Sequence, residues 1–227
     1  MKKKIVFIIL SISAFALILA IAMAWVYSVN TPYHDSRQLI KYIEAGDYSK
    51  VQEILEEGAN PNVPETGIPH WVSVFFEDTP RIPLKAACEK NDVEMVKLLI
   101  KYGARGDAID GTGCPPLCEL LKDYDSTDLE LVKLLLENGA DSLLRYGDFY
   151  DWPVFQAARM YPGDRNIPFK DRVYDENIAK EITEIVLLLL PEDFDMQGPE
   201  GAQLLSCAGI GRNIYLIKYL MNEMENA

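Results

Sequence analysis

Three times in this chain a Leu-rich run is stopped by the dipeptide Gly-Ala: VQEILEEGA ends at Gly58-Ala59, MVKLLIKYGA at Gly103-Ala104 and LVKLLLENGA at Gly139-Ala140. Glycine just past an amphipathic run reads as a helix C-cap, because a residue without Cβ enters the left-handed region at little cost. Ahead of the second stop lies a complete unit, Pro80 to Ala104. Its first short helix carries Ile82-Pro83-Leu84 and the small pair Ala86-Ala87, a turn falls at Asn91-Asp92, and the second helix carries Val93, Met95-Val96 and Leu98-Leu99-Ile100. Neither helix of such a hairpin can bury its apolar stripe alone. The alanines let the two lie close, and the unit stays dry only when stacked on copies of itself.

The units resemble the ankyrin repeat, both in the Gly-Ala stops and in Ile82-Pro83-Leu84-Lys85-Ala86-Ala87, whose family form is T-P-L-H-x-A. Ile stands for Thr and Lys for His, so the hydrogen bonds those two residues usually make are not expected here. The resemblance implies an all-α, ankyrin-like solenoid of about five helix-turn-helix repeats filling residues 36–227, at roughly 36–62, 80–108, 113–142, 152–195 and 200–227.

In the first repeat, Arg37 to Ala45 is followed by a Gly46-Asp47 turn and by Tyr48 to Glu57. Lys41 and Tyr42 occupy the place of the paired alanines, and a more polar helix suits a terminal repeat with one side open to water. The third repeat opens at Asp110-Gly111-Thr112-Gly113, continues from Pro116 to Leu121, and has its strongest helix at Leu129 to Leu136, after Asp128. Trp152 to Ala158 and Ile178 to Leu190 make the fourth repeat. Residues 159–177 between them, rich in Pro and Gly, read as a surface excursion. In the fifth, Cys207-Ala208 takes the alanine place and Arg212-Asn213-Ile214 the turn, and the polar end from Asn222 closes the stack.

Ahead of the repeats, Ile5 to Val29 holds no charge and is preceded by Lys2, Lys3 and Lys4. Such a run is long enough as a helix to cross a hydrocarbon core of about 30 Å. The expectation is a transmembrane helix or signal anchor over residues 1–29 and a linker at 30–35. The lysines then stay in the cytoplasm and the repeats lie outside it. The competing expectation is a secretory leader cut after Ala24, in Ala22-Met23-Ala24, which releases a secreted or periplasmic domain.

Gly58 and Gly103 are 45 residues apart, about 12 more than the ankyrin period of 33. The surplus lies in Val63 to Thr79, the place of a finger loop, and brings Trp71, Phe75 and Phe76 together. The third finger holds Tyr146, Phe149 and Tyr150. Aromatic residues in loops either fold back as a lid or anchor a partner. These six are the candidate partner-binding residues.

Removing the three leading lysines from the 22 basic residues leaves 19 against 35 acidic ones, a net charge of −16. A surface of that sign does not track a phosphate backbone, so nucleic acid is not an expected partner, while a basic protein is compatible. Catalytic signatures are missing: there is no G-x-S-x-G, and the two histidines, His34 and His70, fall in linker and finger. Of the four cysteines, Cys88 and Cys207 sit in Ala-like core slots, and Cys114 and Cys118 are spaced C-x3-C, with a bridge between them left open. No catalytic, cofactor or metal residue is assigned, and no cofactor is expected. What the resemblance implies is protein–protein interaction without catalysis. An inhibitor or immunity protein for an exported toxin or enzyme is a second possibility, and a small metal-binding protein or enzyme a third.

Overall fold

The computed structural model describes residues 17, 18, 21, 31–65, 80–110, 114–122, 127–144, 152–163 and 173–226, and all regular structure among them is helical. Five hairpins follow in chain order. The first pairs α1, over residues 31–45, with α2, Tyr48–Glu56. Next come α3, Pro83–Glu89, with α4, Val93–Lys101; α5, Pro116–Leu120, with α6, Leu129–Glu137; and α7, Pro153–Ala158, with α8, Glu176–Leu189. Last are α9, Pro199–Gly211, and α10, Ile214–Asn226.

Packing follows the repeat. Within hairpins α3 lies on α4, α5 on α6, α7 on α8 and α9 on α10; between hairpins α3, α5, α7 and α9 form one row, and α4, α6, α8 and α10 a second. A single apolar cluster runs through both rows, from Leu39 and Ile43 through Leu84, Leu99, Leu117, Leu135, Phe155 and Val186 to Leu216 and Leu220. No hairpin owns a core of its own. Each fully buried Leu or Ile contributes about 2 kcal/mol, and only the neighbouring hairpin supplies the burial.

The turns are built alike. Every second helix begins with a side-chain cap: Asp47, Asp92, Asp128 and Asp175 accept the backbone N–H of Lys50, Met95, Glu130 and Asn177 at 3.1, 3.0, 2.7 and 2.8 Å. In the fifth hairpin Asn213 accepts that of Leu216 at 3.0 Å. The Gly-Ala stops close the same helices. Gly58, Gly103 and Gly139 have φ of +100°, +90° and +92°, and the next N–H, on Ala59, Ala104 and Ala140, reaches back to Ile54, Leu99 and Leu135 at 3.2, 2.9 and 2.9 Å. These are Schellman-type C-caps.

Two differences from the sequence expectations have physical reasons. Residues 31–35, expected as linker, are helical, and Ser36 fixes the segment by donating to the Val63 carbonyl at 2.7 Å. Lys85, read only as a departure from the family's His, is 5% exposed and ion-paired. The C-terminal end continues α10 as far as Asn226. The apolar run Ile5 to Val29, apart from Leu17, Ile18 and Ile21, lies outside the described residues; among the described residues no helix is long and apolar enough to cross a membrane.

Candidate protein-binding face

In the segments joining one hairpin to the next, the described residues are those fastened to the stack. For the first finger the neck is a two-way contact between Glu65 and Arg81: Glu65 N–H donates to the Arg81 carbonyl at 2.9 Å, and Arg81 N–H donates to Glu65 Oε1 at 3.1 Å. The Arg81 guanidinium then spreads over two helices, donating to Glu44 of α1 at 2.8 Å and Glu89 of α3 at 3.0 Å. One half-buried cation thereby ties the first two hairpins together where the finger leaves them. Asn62 adds a brace, donating to the Gly103 carbonyl at 2.8 Å and accepting the Arg105 N–H at 2.9 Å.

The second finger is described from Ala104 to Asp110. Gly106 lies flat against the end of α6, its N–H donating to the Asn138 carbonyl at 2.9 Å; a Cβ there would stand 2.6 Å from the Leu135 oxygen. Arg105 clamps Asp107 through two nitrogens at 2.8 and 2.6 Å, and Ala108 N–H closes a turn on the Arg105 carbonyl at 3.2 Å. Ile109, between Ala108 and the buried Asp110, is 52% exposed. Sequence reasoning passed over it. The available signal was one aliphatic residue in an otherwise polar turn.

Next to Ile109 lies a buried ionic node. Lys85 Nζ donates to Asp110 Oδ2 at 2.5 Å and lies 3.4 Å from Glu119 Oε2, while Asp110 Oδ1 accepts the Cys114 N–H at 3.0 Å. Burial opposes the Lys85 charge, but the Asp110 hydrogen bond and the neighbouring Cys114, Asp110 and Glu119 outweigh it and hold the pKa above the usual lysine value. Lys85 thus fastens the second finger to α3 and α5 together. The four cysteines are buried, and none is in a disulfide.

The third finger begins at Asp141, whose carboxylate accepts the Leu143 N–H at 2.8 Å, and Val154 N–H returns to the Ser142 carbonyl at 3.4 Å. Trp152 stacks on Phe155 with ring centroids 4.9 Å apart and planes 14° from parallel. The six aromatic candidates, Trp71, Phe75, Phe76, Tyr146, Phe149 and Tyr150, all lie outside the described residues; what the structure places is the necks from which their loops spring. Elsewhere, between α6 and α8, an open groove of about 420 Å³ is lined by Thr127, Asp128, Leu129, Glu181, Glu184 and Ile185. Among the described residues no group of three or more His, Cys, Asp or Glu could hold a metal ion.

Comparison with known proteins agrees with this construction. Residues 39–146 match the family model described as ankyrin repeats in three copies. Two ankyrin repeat proteins of Rickettsia bellii (strain RML369-C) are similar: one is 30% identical over 112 residues, 48% of this chain and 29% of that protein. The other is 31% identical over 127 residues, 51% of this chain and 52% of that protein. The chain therefore spans about half, or less than a third, of the curated relatives it matches. Among solved structures, the ankyrin repeat domain of Bcl-3, a member of the IkappaB protein family, is 28% identical over 51% of this chain and 44% of that one, with a TM-score of 0.41. That superposition is loose, and the case for the fold stands on the stacked hairpins, the repeated caps and the family match. Over residues 39–146, the chain carries ankyrin repeats.

Proposed function

We propose that the stack serves as a non-catalytic protein-recognition surface, with the finger tips as its contact points. Ankyrin repeats imply a protein–protein interaction module, and proteins built from them are generally interaction scaffolds. The observation that carries the reading to particular residues is the second finger: a half-exposed aliphatic, Ile109, held out by a neck that a buried ion pair and a backbone contact keep rigid. A rigid apolar tip binds without first losing conformational entropy, which is what a hot spot requires. Trp71, Phe75 and Phe76 on the first finger and Tyr146, Phe149 and Tyr150 on the third extend the same edge in this proposal.

The partner in this reading is a basic protein. The net charge of −16 beyond the apolar run and the carboxylates of Asp128, Glu181 and Glu184 around the groove favour it over an acidic one. An inhibitor or immunity role toward an exported basic enzyme is a special case. Residues 5–29 are proposed to hold the repeats at a membrane, on the extracytoplasmic side. That location is tested by protease treatment of intact cells, where loss of the repeats supports it and survival refutes it.

Contact through the fingers is tested by photo-crosslinking in native membranes. A photoreactive side chain in place of Ile109 is expected to capture a basic protein, and one in place of Lys133, exposed on the second row, is not. Capture from position 133 alone would refute the finger reading. Replacing Trp71, Phe75 and Phe76 with Ala is expected to abolish capture at unchanged helicity; lost helicity would instead identify that loop as packing.

A further inference from the structure

We propose that Cys114 and Cys118 form a redox-active dithiol, in which the Cys114 sulfur meets a small oxidant of the peroxide class and Cys118 resolves the product into a disulfide. The two residues rise from one turn. Cys114 directly precedes Pro115, the N-cap of α5, Cys118 lies in the first turn of that helix, and the Cys118 N–H donates to the Pro115 carbonyl at 3.1 Å. The Cys114 thiol donates to that same Pro115 carbonyl at 3.6 Å, which sets its sulfur beside the turn that carries Cys118. Cys114 is also the most accessible of the four cysteines, at 6%, against 2% for Cys88 and Cys207 and 0% for Cys118.

The surroundings separate these sulfurs from the others. A hydrogen bond from Cys118 lowers the Cys114 pKa against the cost of burial; the Lys85 ammonium lowers it further, and the Asp110 and Glu119 carboxylates oppose that. Cys88 is pushed the opposite way by burial, with Glu119 and Glu89 adding to it. A thiol inclined to ionise, beside a cation and within reach of a second thiol, is the arrangement that oxidises selectively. The Cys114 thiolate attacks one peroxide oxygen, the O–O bond breaks, and the departing hydroxide takes a proton to become water. The Cys118 sulfur then attacks the Cys114 sulfenic acid, and the second water leaves. Two thiols and one peroxide give one disulfide and two waters.

The position gives the bond a consequence. Asp110, at the base of the second finger, holds the Cys114 N–H at 3.0 Å and Lys85 at 2.5 Å, so a bridge from Cys114 to Cys118 fixes the neck of that finger to α5 covalently. This inference depends neither on the identity of a partner nor on the compartment. The test treats the native full chain with hydrogen peroxide, blocks remaining thiols, then unfolds and maps the peptides by mass. Expected is a peptide spanning Cys114 and Cys118 that is lighter by two hydrogens and unblocked at both, formed about tenfold faster than oxidation at Cys88 or Cys207. Oxidation of all four at one rate, or of the pair only after unfolding, would overturn the proposal. Cys118→Ser is expected to stop the same treatment at a Cys114 sulfenic acid or a higher oxide. If that variant does not fold, the rate comparison within the native chain still decides.

Discussion

At the scale of single residues, the stack depends on a few side chains whose burial contradicts their chemistry. Lys85 is charged and buried because Asp110, fully buried, and Glu119 meet it. Removing the cation strands Asp110 in the interior, so Lys85→Met is expected to cost about 3 kcal/mol in urea unfolding. Adding Asp110→Asn, which keeps an acceptor for the Cys114 N–H, is expected to restore most of it; a double variant no more stable than the single one refutes the node. Asn213 shows the same logic. Four hairpins cap their second helix with Asp and the fifth with Asn, and only Asn213 is fully buried, donating to the Ala179 carbonyl at 3.0 Å. Asn213→Asp replaces that donor with an unpaired charge and is expected to cost about 2 kcal/mol, whereas Asp128→Asn is nearly neutral. Arg212, beside it, holds a left-handed φ of +55°. Arg212→Gly relieves that strain and is expected to raise stability by about 0.5–1 kcal/mol, read from the same unfolding curves.

At the scale of the element, the repeated Asp caps make the start of each second helix a point where one hairpin feels its neighbour. Asp92 accepts the Met95 N–H of its own helix and also the Tyr48 hydroxyl of α2, at 2.7 Å. Asp92→Ala is therefore expected to cost more than the roughly 1 kcal/mol of an ordinary cap, and Tyr48→Phe to account for the surplus in a double-mutant cycle. The hydrogen bond to Asp92, then burial and the surrounding carboxylates, push the Tyr48 pKa up to about 12 from 10.0. Because the folded value lies above the unfolded one, this contribution is complete below pH 10 and lost as the pH climbs through about 12. The raised Lys85 pKa acts in the same direction, in full below its ordinary 10.5 and lost above it. Stability is expected to fall on the alkaline side, with Tyr48 and Tyr102 titrating late by ultraviolet absorbance; an unchanged late amplitude in Tyr48→Phe would show that Tyr48 is not among the late groups.

At the scale of the whole molecule, self-repulsion among 35 carboxylates works against the compact state, while most of the ion pairs that oppose it are exposed and worth little. Screening shortens from about 30 Å at 0.01 M salt to about 8 Å at 0.15 M. The melting temperature of the repeat region is expected to rise by a few degrees across that range, and a fall would show that surface pairing outweighs repulsion. Stability summed over neighbouring interfaces also predicts that Leu135→Ala, at the middle of the stack, destabilises more than Leu55→Ala at its first hairpin, because the interior site is packed from both sides.

The hairpins themselves were legible from residues 82–104 and the three Gly-Ala stops, because stacking repeats one local problem and the chain answers it each time with the same turn chemistry. Gly58, Gly103 and Gly139 announce helix ends in any context, since the requirement for positive φ is local. What the order of residues could not announce was partnership across hairpins. Lys85 looks like a lost histidine until Asp110, 25 positions on, is brought to 2.5 Å, and Asn213 looks like any cap until its surroundings close. Ile109 acquires meaning only when Gly106 and Asp110 on either side of it are fastened down and its own side chain is left half in water. The sequence by itself determined the repeat and its register, which arise from contacts a few residues apart; the tertiary structure decided which charges are buried and which apolar tip is presented, because those depend on groups that only the stack brings together.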